Sequence, residues 1–341
     1  MIALWLSYAV LVAALLAGAA AALDALARLF RRPTRGVWVL ALLAATLVPA
    51  GLIARTALYP GGSAPAPASA PTVLPAIPVP AAGAPSRVPD VGWLDTPLLA
   101  TWALASLLVL GALLRSAATL TRRRRGWQRT TVDGVPVLVA PDTGPAVVGL
   151  RRSEIVLPDW TLSLEPGLRA LILRHETEHL RARDARLLLI ATLALVVQPL
   201  NPVLWWLRRR LCLAVELDCD RRVLAVHGDV ERYGLLLLAV GQRATRSLPS
   251  LAPTLAEPTP LLERRIDAMS ESLRNAGHGR QPGRTLVRAA VAGGLALLAI
   301  VAACETPAPS HVLTPDEPAL ARGAAEPTTT GPDQSFFEFQ V

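Results

Sequence analysis

Arg174-His175-Glu176-Thr177-Glu178-His179-Leu180 decides the reading of this 341-residue chain. Residues four apart on an α-helix lie one turn apart on the same face, so the imidazoles of His175 and His179 can reach one metal ion. Glu176, between them, stands close enough to polarise an attacking water and act as general base. The bland alternative is a surface helix that happens to carry two of the chain's five histidines. A third ligand separates the two readings, because catalytic zinc sites take three protein ligands and leave one position for water. Val215-Glu216-Leu217-Asp218-Cys219-Asp220, which also reads as helix, supplies a candidate in Glu216. Asp220, four residues on and on the same face, is the candidate carboxylate that accepts a ring N–H from a ligating histidine and fixes its tautomer. Taken alone, these two acids would do no more than neutralise Arg221, Arg222 or the Arg208–Arg210 run, as many surface carboxylates do.

A His-Glu-x-x-His helix followed by Glu-x-x-x-Asp resembles the gluzincin-type membrane zinc peptidases, and the surrounding residues resemble the BlaR/MecR antirepressor branch. The stretches that carry this likeness are Gly144-Pro145-Ala146-Val147-Val148-Gly149, Ile155-Val156-Leu157-Pro158, His175 to His179 with Asp184, Asn201-Pro202-Val203-Leu204-Trp205-Trp206, and Glu216 to Asp220. The resemblance covers roughly residues 1 to 304 and is most specific from Gly144 to Asp220. It implies a Zn²⁺ endopeptidase domain facing the cytoplasm of a bacterial inner membrane and carried on several transmembrane helices. It also implies an outside signal that activates the domain to cleave a transcriptional repressor.

Composition agrees with a membrane setting. Hydrophobic residues make up 52% of the chain, and the net charge of +8 rests on 34 arginines with no lysine. The arginines stand at the ends of apolar runs, so membrane orientation explains them more simply than nucleic acid does. No recognition-helix pattern or basic–aromatic interleaving points to direct nucleic-acid binding. Ile2 to Leu23 is long enough to cross a ~30 Å hydrocarbon core and lacks the basic start and short core of a cleaved signal, so it reads as a retained span. Arg28, Arg31, Arg32 and Arg35 then mark a cytoplasmic loop. Gly36 to Ile53 is a second span, kinked at Pro49, and Trp93 to Leu114 a third, ending in Arg115 and Arg122–Arg125. Ala289 to Ala303 is a shorter fourth.

The expected organisation is therefore two spans and a basic loop over residues 1–58, a Pro/Ala-rich outer linker over 59–92, and a span over 93–114. A cytoplasmic metallopeptidase domain follows over 115–287, then a span over 288–304 and a disordered outer tail over 305–341. The fold class is mainly α and integral to the membrane, with about four transmembrane helices carrying a gluzincin-like α+β domain. Residues 187–207 carry arginines at both ends and prolines within, which favours a membrane-apposed hairpin over a span. Such a hairpin returns Glu216 to the side of His175, as a shared metal demands. The apolar ending Phe336 to Val341 reads as a possible first strand of a further domain.

Within the soluble part, Val135–Ala140, Ala146–Val148 and Arg152–Leu157 read as short strands. Ala146 to Gly149 is the candidate edge for pairing with substrate backbone, the alternative being a hairpin strand with no such role. Asp184 falls on a different helical face from the histidines, and is expected not to be a ligand, to pair with a neighbouring arginine and to take no catalytic part. Cys212 and Cys219 read as reduced packing residues, and Cys304 as an interfacial cysteine despite a superficial lipoprotein-like Val301-Ala302-Ala303 before it. An oxyanion stabiliser is also needed, and His227 and Tyr233 are both open candidates.

Three functions fit these residues. The first is a signalling zinc endopeptidase whose partners are the bilayer and a cytoplasmic repressor, with possible self-cleavage. The second is a housekeeping membrane protease of HtpX or prenyl-processing type. The third is a catalytically idle membrane receptor or scaffold, for which an intact ligand set with Glu176 would be superfluous. No Ser-x-x-Lys nucleophile follows Cys304, so β-lactam sensing is not implied.

Overall fold

A computed structural model describes residues 2–30, 32–58, 92–141, 143–247 and 259–275, with isolated positions between 287 and 298. All of these fall in one compact unit, Met1–Glu305. The Pro/Ala-rich linker, most of the expected fourth span, the tail and the Phe336–Val341 ending lie outside the described residues.

The apolar runs at the N-terminus form α1 (Ile2–Leu29) and α2 (Arg35–Leu58), and the run after the linker forms α3 (Asp95–Arg124). Ala9, Ala13, Ala17 and Ala20 of α1 are buried, and their small side chains let the helices approach closely, as is usual where apolar helices pack without water. Trp38, Ala41, Leu42 and Ala45 of α2 complete that contact. Two described helices, Ile2–Arg28 and Asp95–Arg124, are long and apolar enough to cross a membrane. The described part of α2 with that character, Arg35–Gly51, is shorter. α3 buries none of its residues, and Leu104, Leu107 and Leu108 stand exposed along it. A surface of that kind fits a membrane protein, because in water such a stripe demands a partner.

The soluble part opens with a four-stranded sheet: β1 (Gln128–Val132), β2 (Val135–Ala140), β3 (Ala146–Val148) and β4 (Glu154–Pro158), in the order β1-β2-β4-β3. β2 and β4 run parallel, while β1 and β3 are antiparallel to their neighbours. β1 is an addition to the expected strands; the Asp133-Gly134 turn, with φ of 51° and 79°, folds it onto β2. β3 closes the sheet as an edge, paired through Val147↔Ile155. Gly149, at φ +97°, ends β3, and a Cβ there would meet the Arg152 carbonyl oxygen at 2.3 Å. Only glycine turns the chain so tightly back into β4.

The remaining helices are α4 (Pro166–Ala182), α5 (Asp184–Val197), α6 (Pro202–His227), α7 (Val230–Ser247) and α8 (Thr259–Asn275). α5 and α6 form the hairpin expected around 187–207. At 14 residues α5 spans about 21 Å, too short for a ~30 Å hydrocarbon core. Its turn is docked by polar contacts: Gln198 Nε2 donates to the Thr46 carbonyl at 3.3 Å, and Asn201 Nδ2 to the Ala9 carbonyl at 3.3 Å. Asn201 Oδ1 also caps α6 by accepting from Val203 N at 3.1 Å.

α6 joins two apolar cores. Its first half, Leu204 to Val215, packs with α1, α2 and α5. Its second half, through Cys219 and Val223, packs with β2, β4, α4, α7 and α8. Glu216 stands where the two cores meet.

Candidate metal centre

α4 starts at Pro166, where a missing N–H costs nothing, and buries Leu171, Ile172 and Leu173 against the sheet. That face carries His175 and His179 inward. α5 leads away for 14 residues, and α6 returns over a similar length from Pro202 to Glu216, which brings Glu216 level with the histidines. Glu178, also buried, ties the helices together through Arg174 at 2.9 Å, Arg181 at 3.0 Å and Arg222 of α6 at 3.0 Å.

The Nε2 atoms of His175 and His179 lie 3.1 Å apart. Glu216 Oε2 is 3.5 Å from the first and Oε1 is 3.6 Å from the second. Ligands ~2.0–2.2 Å from a tetrahedral zinc stand about 3.3 Å from one another, so this triangle has the dimensions of a zinc site.

The hydrogen bonds behind the rings agree. Asp184 Oδ2 lies 2.8 Å from His179 Nδ1. Tyr233 Oη lies 2.8 Å from His175 Nδ1 and donates to Asp220 Oδ1 at 2.8 Å, so it accepts the His175 Nδ1–H. Both imidazoles are thereby held in the tautomer that turns the Nε2 lone pair toward Glu216. Two lone pairs and a carboxylate converging in a buried space call for a cation, and the donor set of two imidazoles and one carboxylate suits Zn²⁺.

His175, His179 and Cys219 also offer ligand atoms within 4.8 Å of one another. The Cys219 thiol, however, faces His175 Nδ1 at 3.3 Å and the His175 carbonyl at 3.4 Å, on the side of the ring away from Glu216. An ion placed between both Nε2 atoms would have Glu216 within reach, while Cys219 lies behind the His175 ring. It is thus more than the packing residue expected from sequence.

Burial is the largest single influence on each of these groups, but it sets the direction only at Glu176. It raises the Glu176 pKa, an effect that the His175 and His179 charges oppose. Burial pushes Glu216 upward too, but Arg265 and His179 outweigh it and hold its carboxyl well below the usual carboxylate range. Burial would lower the His175 pKa, but Cys219 and Glu216 carry it up to about 10, so Nε2 holds a proton that a bound cation would displace to free the lone pair. The result is an anionic Glu216 suited to bind a cation and a Glu176 whose affinity for a proton is enhanced.

The five residues singled out from sequence, His175, Glu176, His179, Glu216 and Asp220, come together in one place. Two roles differ in detail. Asp220 stands 3.6 Å from His175 Nδ1, beyond a hydrogen bond, and reaches the ring through Tyr233. Asp184 does not lie on another face, because α4 ends at Ala182 and Arg183 adopts a left-handed φ of 57°. That break folds Asp184 back onto His179. The arginine it pairs with is Arg35, whose Nη1 is 3.1 Å away. Neither oxyanion candidate serves that purpose: Tyr233 Oη is committed to His175 and Asp220, and exposed His227 stands about 16 Å along α6 from Glu216.

Arg265 of α8 had no counterpart in the sequence reading. Its Nη2 and Nε grip Asp220 at 2.7 and 2.9 Å, and its Nη1 stands 3.1 Å from Glu216 Oε2. Only the amphipathic pattern of Leu262, Ile266 and Met269 marks the helix that delivers it.

No curated protein matches the chain. Residues 37–269 match the family model described as BlaR1 peptidase M56, a span that runs from the start of α2 through Arg265 and so takes in every ligand candidate. Membership implies peptidase activity of the metallopeptidase kind, and with a match over that much of its length this chain belongs to the BlaR1 peptidase M56 family.

Proposed function

We propose that this chain is a membrane-embedded zinc endopeptidase of signal transduction whose substrate is a cytoplasmic transcriptional repressor. The observation that carries the reading is the triangle of His175 Nε2, His179 Nε2 and Glu216, with Glu176 buried beside it. When bound, the ion supplies Lewis-acid activation of water and of the peptide carbonyl. Glu176 takes the proton of the attacking water and returns it to the leaving amine, a task that favours a carboxyl with a raised pKa. Asp184 and the Tyr233–Asp220 pair hold the two imidazoles in the ligating tautomer.

β3 ends the sheet beside α4, and an extended substrate segment adds to that edge as a further strand. The domain faces the cytoplasm behind the arginine-flanked helices, and cleavage of the chain by itself is a second outcome of the same chemistry.

Zinc content of the detergent-purified protein, measured beside Glu216→Ala, tests the site. About one zinc per chain, lost or much weakened in the variant, is expected. No zinc in either protein would overturn the reading and favour a receptor or scaffold. Glu176→Gln, in turn, should retain zinc and lose about 10²-fold or more in proteolysis of a co-expressed repressor. Undiminished cleavage by that variant would sink the mechanism.

A further inference from the structure

A second line of contacts leads from the metal centre to the turn between α1 and α2. Asp184, 2% exposed, uses Oδ2 for His179 and Oδ1 for Arg35, the first residue of α2. Two residues beyond Glu216, Asp218 is equally buried and accepts the backbone N–H of Thr34 at 3.1 Å and of Arg35 at 3.1 Å. Arg221, one turn further along α6, pairs with Asp218 and donates from Nη1 to the Arg32 carbonyl at 2.9 Å.

The first N–H groups of a helix need acceptors, and a side chain just before the helix usually supplies one. Here α2 takes its acceptor from α6, 184 residues away in sequence. The turn at residues 32–35 is therefore attached to both halves of the metal site. A side chain reaches the His179 half, and backbone amides reach the Glu216 half.

We infer that Arg35 is a positioning residue for the metal centre, acting through Asp184 on His179, so that the placement of the α1–α2 hairpin sets the affinity and geometry of the site. This rests on the zinc-peptidase reading and adds to it a means of control. A carboxylate that accepts a ligating imidazole's N–H orients the ring only if it is itself held. Arg35 holds the other oxygen of Asp184. A shift of α2 relative to α6 removes the Arg35–Asp184 pair and the Asp218 cap together, and both metal-bearing elements lose a support in one movement.

The test is zinc affinity of the full chain in detergent, by competition with a chromophoric chelator, for wild type, Arg35→Ala, Arg35→Lys, Asp184→Asn and the Arg35→Ala/Asp184→Asn double variant. Asp184→Asn should weaken binding by about 10- to 100-fold. Arg35→Ala should weaken it by roughly 3- to 10-fold, and Arg35→Lys should recover part of that loss. If Arg35 acts through Asp184, the double variant binds no more weakly than Asp184→Asn alone. Arg232→Ala on α7, which breaks an exposed pair with Glu165 just before α4, serves as the control and keeps wild-type affinity. Additive losses in the double variant, an Arg35→Ala protein that binds like wild type, or an equal loss in Arg232→Ala would each overturn the inference. A wild-type protein that takes up no zinc would instead overturn the peptidase reading, and the same titration shows that before any variant is compared.

Discussion

Each residue at this centre is defined by what it leaves free on its neighbour. His175 and His179 ligate only if their Nδ1 atoms are occupied, and Tyr233 and Asp184 occupy them. Tyr233 is buried, and burial together with nearby Asp220 raises its pKa far above the usual phenol value, so it remains a neutral donor to Asp220 throughout the working pH range. Tyr233→Phe removes the acceptor of the His175 Nδ1–H and the donor to Asp220 at once. The two orphaned groups should cost about 1–3 kcal/mol of stability, read as a lowered melting temperature, and zinc binding should weaken several-fold. An unchanged melting temperature and zinc affinity would show that His175 is held by Cys219 alone. The paired histidines and Glu176 were legible because i, i+4 spacing is a local property of a helix. Tyr233 was visible only as a candidate for a different task, since its partner is fixed by where α7 packs.

Among the elements, α8 contributes most beyond what its sequence announces. Arg265 is buried between two carboxylates, one of them the proposed metal ligand. Removing one partner of a buried ion pair costs far more than the pair contributes, because the remaining charge is stranded. Arg265→Ala should therefore destabilise the protein by about 3–5 kcal/mol, measurable by thermal or denaturant unfolding in detergent. A melting temperature within a degree of wild type would mean that water replaces the guanidinium and that α8 is dispensable to the site. The α5–α6 hairpin tells the complementary story. Its existence followed from paired arginine clusters and two prolines, and its arms of similar length return Glu216 to His175. β1 was overlooked because Gln128-Arg129-Thr130-Thr131 is polar, although Asp133-Gly134 carried the hairpin signal.

At the scale of the molecule, an apolar helical layer and a small α+β layer share α6, so events in one bear on the other. The membrane character of the first layer rests on α1 and α3, and α3 offers the cleaner test. Leu108 lies exposed on it, and Leu108→Arg should raise the cost of membrane insertion by about 2.5–3.5 kcal/mol. The expected outcome is a marked fall in the fraction of protein that resists alkaline extraction from membranes. Unaltered extraction would place α3 against another protein surface instead of lipid.

The sequence by itself determined the metal motif, a candidate third ligand, the apolar helices and the hairpin. The motif, the apolar helices and the hairpin are written in periodicity or composition within about 25 residues, and Glu216 was found because a site of that kind needs a third ligand on a following helix. Only the tertiary structure decided which groups stand behind the ligands. Asp184 reaches His179 because Arg183 breaks the helix. Arg35 meets Asp184 across 149 residues of chain, and Arg265 meets Asp220 across 45. No local period encodes those distances. They arise when two apolar cores close on either side of α6 and bury charges that must then find one another, because an unpaired charge in that interior would cost several kcal/mol.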